Sequence, residues 1–273
     1  MTLAPAQRRG MIRAEDGEAM MAFVSRRGRL ALLTVFVIAS ASLPAQATPQ
    51  SLVAVADAFV RAVAPDSNFG GAGAVVVAPP ALSNGEHQGL MRFDLAPVKA
   101  AFDAQFGAGN WSVTSASLRL TTTPASSGNF NANAAGPVNV SWMQNDAWVE
   151  GTGTPGSPTT DGITFNTLPS FLSGGDQSMG QFNFPGGNSG ANTYNLSLAS
   201  GFTADVLGGS LTSLRLFAAN DAVSFLFNSR NFGTVPNRPV LVVDAIPEPA
   251  VGGVVGTLAV ALLARCRRRT PRG

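Results

Sequence analysis

SASLRLTTT, residues 115–123, alternates with a period of two. Ala116, Leu118 and Leu120 share one parity, and Ser117, Arg119 and Thr121 share the other. In an extended chain those two sets fall on opposite faces, so the pattern predicts a strand half buried against a second layer. The same alternation recurs on either side. In GLMRFDL (89–95), Met91, Phe93 and Leu95 oppose Leu90, Arg92 and Asp94. SLRLFAA (213–219) sets Leu214 and Leu216 inside with Arg215 outside, and AVSFLFNS (222–229) groups Val223, Phe225 and Phe227. VNVSWM (138–143) puts Val138, Val140 and Trp142 on one core face, and TYNLSL (193–198) and PVLVVDA (239–245) complete the set. About ten such runs, separated by Gly, Pro, Asn and Ser clusters, predict an all-β sandwich.

Two segments have helical spacing instead. APVKAAFDAQF (96–106) carries Val98, Phe102 and Phe106, with Pro97 in the first turn; SGFTADVLGG (200–209) carries Phe202, Val206 and Leu207, with Gly208 as the stop. These predict one or two short helices crossing between strands. The glycine-rich stretches 151–162 and 185–190 are too polar for core and read as loops.

Charge divides the chain in three. Residues 1–47 hold six arginines against three acids, and residues 246–273 hold five arginines against Glu248 alone. Residues 48–245 keep seven basic and twelve acidic residues, a net of −5, with one lysine, Lys99. That mildly acidic middle has no basic footprint for nucleic acid. Its 198 residues fit one large β domain. The sole cysteine, Cys266, lies in the tail, so the domain has no disulfide to lean on.

The front reads as an export signal: Arg26, Arg27 and Arg29, an apolar run over 30–43, then Ala45-Gln46-Ala47 as the small-x-small cleavage site. Nineteen residues precede Met20, more than an ordinary leader, which makes Met20 or Met21 a candidate start and the residues before it a cytoplasmic leader. The back end has three parts in order. Pro247-Glu248-Pro249 comes first, then an apolar run over 250–264, then Arg265, Arg267, Arg268 and Arg269. Fifteen residues of helix reach about 22 Å, a marginal span, and the arginines hold that end in the cytoplasm. The prolines stop the helix from extending outward, so the motif is expected unwound and open to a protease.

This tail closely resembles the PEP-CTERM sorting signal. The resemblance implies a temporary stay in the inner membrane, signal peptidase and an exosortase as processing partners, and delivery to the cell surface or extracellular matrix of an exopolysaccharide-making bacterium. The middle resembles the DNRLRE family, whose domain is a jelly-roll related to carbohydrate-binding modules. The matching pieces run in family order over nearly all of 52–244. ADAFVR (56–61) carries Asp57, NFGG (68–71) carries Asn68, and LMRFDL (90–95) carries Arg92 and Asp94. Next come SASLRL (115–120), then WVEGTG and ITFNTLP with Trp148, Glu150, Thr164, Asn166 and Pro169. FNSRN and NRPVLVV close the set with Arg230 and Arg238. Phe165 stands where the family has Trp, and Asn231 where it has Glu. The resemblance implies a jelly-roll domain over 48–245 between a signal peptide (1–47) and the sorting tail (246–273). It makes the segment around Trp148 a structural corner, with Trp148 in the core and Glu150 bonded to backbone or arginine.

Catalytic chemistry has few carriers. His87 is the only histidine and sits in SNGEHQG (83–89), which reads as a solvated turn without a nucleophile elbow. A sugar lyase would have to pair it with Tyr194, the only tyrosine. Asp146 and Glu150 are the nearest carboxylate pair for glycoside hydrolysis. Zinc lacks ligands. A structural calcium ion would draw on Asp57, Asp66, Asn68 and Asp94, against ordinary turn chemistry for the same residues. The reading that results is a non-catalytic, exported surface or matrix protein associated with polysaccharide. Its rivals are a protein-binding adhesive module and a polysaccharide lyase or glycosidase.

Overall fold

A computed structural model describes residues 48–123 and 133–248. The signal segment, with Ala45 and Ala47, lies outside the described residues, as do Pro249 and the arginines at 265, 267, 268 and 269.

The strands follow in order: β1 (Gln50–Val53), β2 (Ala56–Arg61), β3 (Ser67–Asn68), β4 (Ala74–Val77), β5 (His87–Asp94), β6 (Trp111–Thr121), β7 (Gly136–Met143), β8 (Ser157–Pro158), β9 (Gln177–Phe184), β10 (Ala191–Leu196), β11 (Leu211–Ala218), β12 (Phe225–Asn228) and β13 (Val240–Pro247). Helix α1 (Ala96–Phe106) joins β5 to β6, and α2 (Ser200–Gly208) joins β10 to β11. Every pairing is antiparallel. One sheet runs β1-β13-β6-β10 and the other β2-β5-β11-β7-β9. The short pair β4–β12 links them, bridged to β5 at Ala78–His87 and to β6 at Thr122–Phe227. The described residues hold thirteen strands against about ten expected; two of the extra ones, β3 and β8, are two-residue pieces with no periodicity to read.

The two large sheets pack face to face. Ala116, Leu118 and Leu120 of β6 enter one core with Met91 and Phe93 of β5, Leu214 and Leu216 of β11, and Phe225 and Phe227 of β12. Phe184 stacks on Phe225 at 4.0 Å between ring centroids, a pair typical of an aromatic-rich interior. Both helices add to this core through Val98, Phe102, Phe202 and Val206, and they pack on one another and on β6. Helix α2 runs one residue beyond the expected stop. Gly208 is helical, and Gly209 takes the left-handed cap at φ 67°, a conformation glycine adopts without Cβ strain. Trp111 and Trp142 are core: Trp111 Nε1 donates to Asp103 at 2.8 Å, and Trp142 Nε1 donates to Asp205 at 2.6 Å.

His87 differs from expectation. It is 1% exposed, opens β5, and packs against the Phe59 ring with Nδ1 2.9 Å from the Gly85 carbonyl. The bridge from β4 closes over the turn, and that non-local contact removes the histidine from solvent. The end of the domain differs too. Strand β13 runs past residue 245 to Pro247, which sits opposite Trp111 on β6, and the Glu248 amide donates to the Asn110 carbonyl at 2.8 Å. Pro247 and Glu248 are extended, as prolines favour, but docked on the domain.

Candidate functional site

The five-stranded sheet is covered on its outer face as well. Strand β2 is buried on both parities, because Ala56, Ala58 and Val60 meet a second, smaller core made by the chain that follows β7. Its centre is Trp148, fully buried among those residues, Leu90, Met143, Ile163 and Leu168, with Phe165 packed at its edge. The alanines of β2 leave room for the indole. Trp148 Nε1 donates to Ser213 Oγ at 2.9 Å. Arg92, outward on β5, lies over the indole at 4.9 Å, and its Nη1 donates to the carbonyls of Asp146 and Trp148, each at 2.7 Å. Stacking and charge-assisted bonds from one guanidinium thus pin the crossing segment. Arg92 Nε is buried without a hydrogen-bond partner.

Residues far apart in the chain that the sequence singled out meet beside this core. Arg230 Nε reaches both Glu150 carboxylate oxygens at 2.9 Å, and its Nη2 reaches Oε2 at 2.6 Å. The Arg230 amide donates to Asp57 Oδ2 at 2.5 Å. Asn68 Nδ2 donates to the carbonyls of Glu150 and Ile163, each at 2.8 Å, while its Oδ1 accepts from the Gly70 amide. A side chain at Gly70 would place its Cβ 1.9 Å from the Glu150 carbonyl, so only glycine lets the two backbones meet here. Asn166 ties in the neighbouring turn through Asp66 and the Pro65 carbonyl, and Arg238 bonds the Phe232 carbonyl. Asp94 stands apart: its carboxylate accepts from the Ala96 amide at the start of α1.

Asn231 was legible only as a departure from the family pattern. Its Nδ2 donates to the Gly70 carbonyl at 2.8 Å and to Glu150 Oε1 at 3.1 Å. A carboxylate there would face another carboxylate; the neutral amide gives Glu150 one more donor. Ser213, to which the sequence assigned no role, holds the indole, and Ser229 of the FNSRN stretch holds the Ala72 carbonyl.

Burial dominates the electrostatics. Asp57 is fully buried, with Oδ1 unpartnered, and desolvation pushes its carboxyl up to about 7 despite the Arg230 amide. Burial raises Asp146 as well, and bonding to Glu150 raises Arg230. Asp146 is bonded toward Ser213 and Glu150 toward Arg230, so the pair does not converge on one point. His87, pushed down to about 4, lies on β5; Tyr194, pushed up to about 12, lies on β10 of the other sheet and stacks on Phe182. Burial sets both values, and the two residues have separate aromatic neighbours. Asp57, Asp66, Asn68 and Asp94 each have a separate protein partner. Among the described residues no group of three or more His, Cys, Asp or Glu is placed to hold a metal.

The clamp borders an open cleft of about 500 Å³. Arg92, Glu150, Arg230 and Asn231 give its polar lining, and the half-exposed Val55 and Val149 stand beside them. No family model matches the chain, and no curated protein matches it. Among the described residues no helix is long and apolar enough to cross a membrane.

Proposed function

We propose that the chain is an exported, non-catalytic protein of the cell surface or matrix, whose jelly-roll domain holds polysaccharide in the Arg92–Arg230 cleft. The observation that carries this is the cleft itself: two guanidinium groups, both fixed by packing, in a lining that also holds two valine side chains. Fixed donors suit hydroxyl and carboxylate oxygens, and apolar edges suit the C–H faces of sugar rings. Glu150 already accepts three hydrogen bonds from Arg230 and one from Asn231, which leaves it poorly placed as a catalytic base. The tail adds the second half of the reading: signal peptidase frees the front, the apolar run halts in the inner membrane, and a sorting protease of the exosortase type reads Pro247-Glu248-Pro249.

A glycan array on residues 48–248 tests the cleft. Binding to at least one bacterial polysaccharide is expected, with a loss of tenfold or more in Val149→Asp, which changes a half-exposed cleft residue and leaves the core alone. A folded wild-type domain that binds no glycan would refute the reading, and release of shorter products would replace it with a lyase or glycosidase.

A further inference from the structure

Strand β13 is held in two different ways along its length. From Val240 to Val243 it is flanked by β1 on one side and β6 on the other. A bulge follows between Asp244 and Ala245, just past the bond from Ser115 Oγ to Asp244 Oδ2. Beyond the bulge only β6 remains as a partner: Ala245 faces Val113, Ile246 faces Ser112 and Pro247 faces Trp111. Pro247 has no amide to donate, Ile246 is 47% exposed, and Glu248 is exposed. Residues 245–248, the last four described, are therefore an edge piece with one buried side chain, Ala245, and a bond from the Glu248 amide to the Asn110 carbonyl.

The apolar run begins at residue 250, two positions after that bond. Two extended residues span at most about 7 Å. A protease seated at the membrane surface must grip several extended residues around its motif, and the docked arrangement leaves no length for that. We propose that residues 245–248 form a detachable strap: docked on β6 they hold the backbone of Pro247 and Glu248 against the domain, and the sorting protease receives the motif only after they peel away, with the bulge as the point where peeling stops. The inference rests on the sorting reading above and adds to it a regulation, since folding of the domain end and processing of the tail compete for the same residues.

The test locks the strap. Ser112→Cys with Ile246→Cys joins directly opposed residues of an antiparallel pair, a separation a disulfide can span. In a host that processes the full-length wild-type chain, the cross-linked form should be exported but cut at least tenfold more slowly. A reductant added to the cells should restore the rate, and each single cysteine variant should match wild type. Cross-linked protein cut at the wild-type rate would overturn the strap. Hydrogen exchange on the full chain supplies an independent readout. The Glu248 amide should exchange at least ten times faster than that of Val243, and equal protection would overturn the proposal even where the cross-link does not form. A wild-type chain that reaches the surface with its C-terminus intact would refute the sorting reading instead, and the exchange measurement would still judge whether the strap detaches.

Discussion

The space between the two sheets and the clamp on the outer face of the five-stranded sheet both bury large aromatic rings, but they hold them differently. Between the sheets, Phe184, Phe225 and Phe227 rest on other apolar side chains delivered by strand register, and no single contact fixes any of them. On the outer face, Trp148 depends on Ser213, on the Arg92 guanidinium, and on a crossing segment tied down by Asn68, Glu150 and Arg230. The first region is redundant and yields locally when altered. The second closes through a few long-range polar contacts and is expected to fail as a unit.

The largest effect should come from Trp148→Ala, which empties the centre of the clamp. A loss of about 3–5 kcal/mol in chemical denaturation is expected, as for large aromatic truncations in cores. A small loss would mean that the crossing segment collapses onto β2 as easily as a sheet core repacks, and the contrast between the regions would disappear.

A second test uses pH, since each region's neighbourhood buries one titrating group. Asp57 is pushed up to about 7 and is ordinary at 3.8 in the unfolded chain, so its contribution is full at acid pH and is lost as pH rises from about 4 to about 7. His87 is pushed down to about 4 from 6.5, so its contribution is full above 6.5 and is lost as pH falls toward 4. Between pH 4 and 6.5 the two slopes oppose one another. Asp57→Asn should therefore gain stability relative to wild type as pH rises across that window, by about 3 kcal/mol at roughly 1.4 kcal/mol per pH unit. His87→Gln should drift the opposite way by a similar amount. Parallel curves for both variants and wild type, measured by urea midpoints, would show that neither group is held as its burial implies.

The smallest effect should come from Glu150→Gln, which keeps the shape and removes the charge beneath Arg230. With one partner partly exposed, about 1–2 kcal/mol is expected. Its value lies in coupling. Combined with Trp148→Ala it should cost less than the sum of the two single changes, because the clamp is already open; combined with Leu118→Ala, in the inter-sheet core, it should be additive. Additivity in both combinations would erase the distinction.

Strand positions, the inward parity of Leu118, Leu120, Leu214, Leu216 and Phe225, and both helices were legible in the chain. The period of a strand or helix is a local property: each residue's face follows from its neighbours along the backbone. The residues that meet at the cleft stood out in the sequence only through a resemblance, without their contacts. Whether Asp57 would meet Arg230, 173 positions away, or whether Asn231 would serve Glu150, depends on which loop crosses which face of the sheet. The same reason explains His87. Its local sequence is that of a turn, and only the bridge from β4, together with the Phe59 ring, takes it out of water.

The two ends of the middle segment divide the same way. The order of signal, domain and tail that we propose is read from the sequence by itself, because charge runs and apolar length act on membranes without a fold. The sequence also argued against helix at Pro247-Glu248, since a residue that precedes a proline is pushed out of the helical region. Only the tertiary structure decided that this extended piece would lie on β6 beside Trp111. Docking needs a free strand edge at the right height, and that edge exists only once β6 has left the Asn110 turn.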